Sequence, residues 1–291
     1  NKLSLFAVPY VGWMSIFVVA PIIIMVVYAF STAAGDFSLE NFARMGTYTA
    51  VFTRSFKLAI IATLIALLIG YPVSYMLSKE GPQGQRIAMV LIMLPMWMNF
   101  LLRTYSWMSI LENNGLLNQL FQQIGLIDLY NQIAMHFASD PAAYVPIDHF
   151  QMIGTQGAVV LGMVYNYLPF MILPIYSVLV KLDHSLIEAA RDLGASSVQV
   201  FRKVILPLSL PGVLSGITMV FVPSVSTFAI SRLLGGGTQM MLGDLIEQQF
   251  LGGAYNPQLG AAIALVMMAI VVVCMLVMNR FGDGEEQAVM L

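Results

Sequence analysis

Charge is scarce in this chain: 13 Lys and Arg and 15 Asp and Glu make up only 10% of 291 residues, while 59% are apolar. A soluble domain needs a polar, charged shell, so this balance excludes one and points to an all-α integral membrane protein. Cysteine is almost absent. Cys274 alone excludes an intrachain disulfide and a cysteine metal site, and it reads as a small apolar residue within a span. The three histidines, His136, His149 and His184, share no metal-ligand spacing and read as loop residues. A formal net charge of −2 excludes a nucleic-acid partner. No Gly-x-x-x-x-Gly-Lys-Ser/Thr run occurs, and Gly235-Gly236-Gly237 lacks the Lys, so no ATP site is expected.

Long apolar runs are what the sequence has instead. A helix crosses the hydrocarbon core with about 20 apolar residues. Six runs qualify, at about 5–30, 58–77, 87–111, 158–180, 208–230 and 259–278, in one domain spanning 1–291. They are continuous rather than alternating, which excludes a barrel. The first is too long for a signal-peptide core and reads as a retained span. Lys and Arg favour the side holding both termini, and 104–155 carries neither residue. Both termini are therefore expected in the cytoplasm, with 181–207 as a cytoplasmic loop. Outside, 113–126 places Leu116, Leu117, Leu120, Phe121 and Ile124 at helical spacing, an amphipathic surface helix, and 140–146 reads as an irregular loop.

The loop 181–207 carries charge between two apolar runs. Leu186, Ile187, Ala190 and Leu193 form one helical stripe, with Glu188, Arg191 and Asp192 on the remaining surface. Gly194 suits a helix end at positive φ, and Ser196 with Gln199 forms a capping box for a second short helix that Pro207 should disturb. Ala189 and Ala190 leave room for a partner surface. Spacing alone also fits a plain interfacial connector.

The order Glu188-Ala189-Ala190, Gly194, Val204, Leu206-Pro207 resembles the signature of bacterial ABC importer permeases, with Val204 where that family usually has Ile. The runs "LPMWMNFLLRTYSW" (94–107), "YLPFMILPIYSVLVKLDHSLIEAARDLGAS" (167–196) and "LLGGGTQMMLGDLIEQQFL" (233–251) resemble the first permease subunit of spermidine/putrescine importers. The resemblance implies a MetI-like, type I importer fold in the bacterial cytoplasmic membrane. It implies a coupling helix built on Glu188, Ala189, Ala190, Asp192 and Gly194 that docks on a separate ATPase, with Leu206 and Pro207 returning the chain to the bilayer. It also implies a sister permease, two ATP-binding subunits holding ATP and Mg, and an extracytoplasmic solute-binding protein; no cofactor is expected on this chain.

A polyamine needs carboxylates and aromatic faces, the latter giving roughly 0.5–2 kcal/mol each by cation–π contact. Candidates for its route are Trp97, Asn99, Tyr105, Tyr165, Asn166, Tyr167 and Asp244. Trp97 and Asn99 stand out because a polar pair inside a span should face protein or water. Tyr105 and Trp107 also suit an interfacial aromatic belt. Arg103, the one charge within the six runs, reads either as a partner for Glu112 or a sister-subunit acid, or as a charge barrier. A permease for another small solute is the alternative. An ion-coupled carrier would need intramembrane carboxylates and a membrane enzyme a buried catalytic group; the runs contain neither.

Overall fold

The computed structural model describes residues 9–137 and 144–289. Twelve helices organise them. The apolar runs become α1 (Pro9–Ala29), α2 (Glu40–Ser78), α7 (Gln156–Leu179), α9 (Ser197–Ser226) and α12 (Pro257–Val289). Among the described residues, these five are long and apolar enough to cross a membrane. The first expected run began at residue 5; its opening residues, 5–8, lie outside the described set.

The expected continuous third span is instead a bent pair. α3 (Pro82–Trp97) meets the segment Phe100–Gln123, which opens with α4 (Phe100–Leu111), at 89°. Met98 and Asn99 adopt extended ψ values of 147° and 132°. The Asn99 Oδ1 then caps α4, accepting from the N–H groups of Leu101 (2.8 Å) and Leu102 (3.4 Å). Hydropathy registers the apolar length on both sides but not a backbone break whose freed N–H groups are satisfied locally.

The amphipathic helix expected within 113–126 is α5 (Leu116–Gln123), and beyond it, after a turn at Gly125 with φ +72°, a further helix α6 (Leu126–Phe137) follows. Two asparagines fasten the return segment to them. Asn118 Nδ2 donates to the Phe150 carbonyl (3.0 Å) while Phe150 N–H donates to Asn118 Oδ1 (3.0 Å). Asn131 makes the same exchange with Ile147, at 2.9 and 3.0 Å. Within the expected irregular loop 140–146, residues 140–143 fall outside the described set and 144–146 carry no regular structure.

At the centre, α2, α7 and α9 pack against one another. Small residues permit it, as between membrane helices generally. A Cβ on Gly216 would meet Met171 Sδ at 2.8 Å, and one on Gly70 would meet Met171 Cγ at 2.8 Å. One buried cluster joins Leu58, Met163, Ile230 and Met241, and a second joins Met171, Ile175, Val200 and Ile205 beneath the 181–207 loop. A third ties α12 to α9 and to α11 (Leu242–Leu251) through Phe221, Leu245 and Ile263.

Candidate functional site: the polar loop and the broken helices

The loop begins as α8 (His184–Asp192), started by the Asp183 side chain accepting from Ser185 N–H at 2.9 Å. It ends as its glycine requires. Gly194 has φ +82°, Gly194 N–H donates to the Arg191 carbonyl (2.8 Å), and Ala195 N–H donates to the Ala190 carbonyl (3.1 Å). Reversal into αL lets the chain close on its own orphan carbonyls, and a side chain at that φ would cost about 1–2 kcal/mol. Ser196 and Gln199 then form both halves of the capping box.

The apolar stripe divides in two. Ile187 and Ala190 pack toward the second buried cluster, while Leu186 (48% exposed) and Leu193 (89% exposed) face outward beside Glu188, Ala189 and Asp192. The outward face is thus acidic, small and apolar together, a composition suited to protein docking. The stripe read from spacing therefore does not stay on one side, since Leu186 and Leu193 leave it for the exposed face. The position of Leu193 next to Gly194, where the helix ends, was the available signal.

The second short helix is not separate. From Ser197 it runs without interruption into the membrane, passing a π turn at Phe201–Ile205 before Leu206 and Pro207. Leu206 N–H donates to the Phe201 carbonyl in that turn. The wider turn precedes the missing proline N–H, and the helix continues through Pro207 instead of ending there.

The expected route residues do not form one cluster. Trp97 is 77% exposed, with Asn99 and Tyr105 also exposed, so all three face out of the chain. Tyr165 packs edge-on against Trp107 at 5.3 Å, joining α7 to α4. Asn166 is buried; its Nδ2 donates to the Gly162 carbonyl (2.9 Å), and its Oδ1 has no partner. Tyr167, on the same helix, lies near the Thr227 side chain and the Arg103 guanidinium. Thr227, with ψ 139°, marks a second break, between α9 and α10 (Ala229–Leu234).

Arg103 lies at 8% exposure, and its Nε and Nη1 have no hydrogen-bond partner. The pair with Glu112 expected as one alternative does not form: none of the ion pairs among the described residues involves Arg103. Asp244, by contrast, is engaged inside its own chain. Buried at 4% exposure, it accepts from the Ser231 hydroxyl and from Met241 N–H (3.1 Å), with Arg232 Nε 3.9 Å away. It lies outside the candidate spans, and desolvation by burial pushes its carboxyl above the usual carboxylate range; Ser231, Met241 and Arg232 oppose that shift. No group of three or more His, Cys, Asp or Glu that could hold a metal exists among the described residues.

A bundle of apolar helices, two of them broken, with a capped amphipathic helix projecting from one end, is the architecture of an ABC importer's membrane domain. The solved importer of the acidic polysaccharide alginate contains a chain with this fold at TM-score 0.73 and 18% identity, covering 97% of this chain and 95% of that one. Residues 62–285 match the family described as the binding-protein-dependent transport system inner membrane component, and the chain belongs to that family. It is similar to the spermidine/putrescine transport system permease protein PotB of Haemophilus influenzae, 35% identical over 272 residues, 90% of this chain and 88% of the relative. PotB of Escherichia coli K12 is 34% identical over 278 residues, covering 93% and 94%. The chain is therefore a multi-pass inner-membrane permease subunit of an ABC importer.

Proposed function

We propose that this permease passes polyamines, spermidine or putrescine, across the cytoplasmic membrane by alternating access, driven by ATP hydrolysed elsewhere. The identity to two PotB proteins over nine-tenths of the chain carries the reading. Both termini and the 181–207 loop lie in the cytoplasm. The chain binds no nucleotide; ATP and Mg belong to two PotA-like ATPase subunits. A PotC-like sister permease completes the path and a PotD-like binding protein delivers the solute.

In this reading α8 docks in a groove of the ATPase through Glu188, Ala189 and Asp192, with Leu186 and Leu193 as apolar anchors. Ala190 seats the helix on the permease, Gly194 fixes its end, and Leu206-Pro207 pass its motion into α9. Tyr165, Asn166 and Tyr167 border the route beside the two helix breaks, and Asn166 Oδ1 is a free acceptor for an ammonium group. Trp97, Asn99 and Tyr105 belong to the surface shared with the sister subunit. Asp244 anchors the outer loop.

The test is the ATPase rate of the reconstituted four-component complex. Binding protein loaded with spermidine or putrescine should stimulate it, and Glu188→Lys should abolish both stimulation and ATPase association while the permease stays inserted. Stimulation by a sulfate-loaded binding protein alone would overturn the polyamine assignment.

A further inference from the structure

Beneath α8 lies a cavity of about 550 Å³ that the coupling reading does not use. Its walls come from the end of α2, the α2–α3 turn, the end of α7, the inward face of α8 and the start of α9. Glu188 and Asp192 are exposed and do not line it. Ile187 and Arg191, one helical turn apart, line the cavity.

The cavity is built rather than left over. Tyr176 hydroxyl donates to Gln85 Oε1 (3.0 Å), and Gln85 Nε2 donates to the Glu80 carbonyl (2.9 Å), which fastens the α2–α3 turn to α7. Lys79 Nζ is held 4.0 Å from the Tyr75 ring centroid. Two cations, Lys79 and Arg191, face the space with one carboxylate, Glu80, and the hydroxyls of Ser78 and Ser197. Neither cation enters an ion pair among the described residues. Leu179, Val180, Leu182 and Ile205 supply an apolar wall.

The geometry points to a binding site for the phosphate headgroup of an anionic phospholipid of the cytoplasmic leaflet. Excess positive charge, with the Ser197 hydroxyl as a donor, selects a phosphate group, while the Ser78 hydroxyl donates to the Tyr75 carbonyl (2.9 Å). The apolar wall, with Val180 39% exposed at the ends of two spans, selects a source that brings an acyl chain rather than free phosphate. Basic pockets between spans on the cytoplasmic side recognise such headgroups. A bound headgroup bridges Lys79, just past the end of α2, to Arg191 on α8 and braces the coupling helix from behind. The cytoplasmic placement rests on the proposed function.

The experiment measures phosphatidylglycerol retained by the full chain, by native mass spectrometry, and ATPase stimulation of the complex in phosphatidylglycerol against phosphatidylcholine nanodiscs. Lys79→Gln and Arg191→Gln should each weaken retention about fivefold, and together remove the difference between the two lipids. Glu80→Gln should strengthen retention about fivefold, a gain that misfolding cannot produce. Unchanged retention in the double variant overturns the site. Displacement of the lipid effect by inorganic phosphate, with no dependence on acyl chains, overturns the lipid as its source. Retention is read without the ATPase, so it stands or falls separately from the Glu188 test of coupling.

Discussion

Gly212 of α9 and Pro174 of α7 meet backbone to backbone. A Cβ on Gly212 would lie 2.8 Å from the Pro174 carbonyl oxygen and 3.1 Å from the Ile175 Cα. Neither obstacle is a flexible side chain, so the two spans must separate to admit a methyl group. Gly212→Ala is expected to destabilise the folded chain by about 1–3 kcal/mol. Gly253→Ala, with nothing within 4 Å, should leave the melting temperature in detergent unchanged.

At Gly194 the obstacle is backbone conformation rather than space, since nothing lies within 4 Å of an added Cβ. Gly194→Val should strain the end of α8 by at least about 1–2 kcal/mol, and Gly194→Asn by less. Co-purification of the ATPase should fall in the order Gly, Asn, Val. Membrane insertion should not change.

Arg103 holds a guanidinium in the interior with two nitrogens unsatisfied. Replacing a buried ionic group by an apolar side chain of similar volume is commonly neutral or stabilising, by about 1–4 kcal/mol. Arg103→Met should therefore raise the melting temperature of the isolated chain. A lower melting temperature would mean that Tyr167 and its surroundings stabilise the charge more than burial penalises it.

Asp244 makes the segment around the start of α11 sensitive to pH. Its carboxyl is raised by burial, so the folded loop binds a proton more readily than the unfolded one. That contribution is complete below the ordinary carboxylate value and is lost as pH rises through the folded value. Hydrogen exchange at Met241–Leu245, corrected for intrinsic rates, should slow as pH falls into that window. Asp244→Asn should remove the dependence, whereas Asp244→Ala, which strands the Met241 N–H, should cost about 1–3 kcal/mol.

Hydropathy and capping chemistry made part of this legible. The Ser196–Gln199 capping box and the positive φ at Gly194 are set by residues a few positions apart, and local rules reach them. The break at Met98–Asn99 was written in the same terms, with Pro95 shortly before a good N-cap, yet the uninterrupted apolar run around it masked the signal. Trp97, expected to face protein or water, ends α3 just before the break and is exposed on the chain's own surface, a position that sequence spacing does not give. Asp244 could not be placed from spacing, because its partner Ser231 lies on another helix and the fold alone brings them together.

From the capping box at Ser196 to the break at Thr227, α9 contains no loop. Its 30 residues form a rod about 45 Å long at 1.5 Å per residue. A rod of that length behaves as a lever. A tilt of its lower end displaces its upper end by a comparable amount, and the first joint able to absorb the swing is at Thr227, beside Tyr167 and Arg103. An uninterrupted mechanical line thus runs from the capped polar loop to the break beside the buried Arg103.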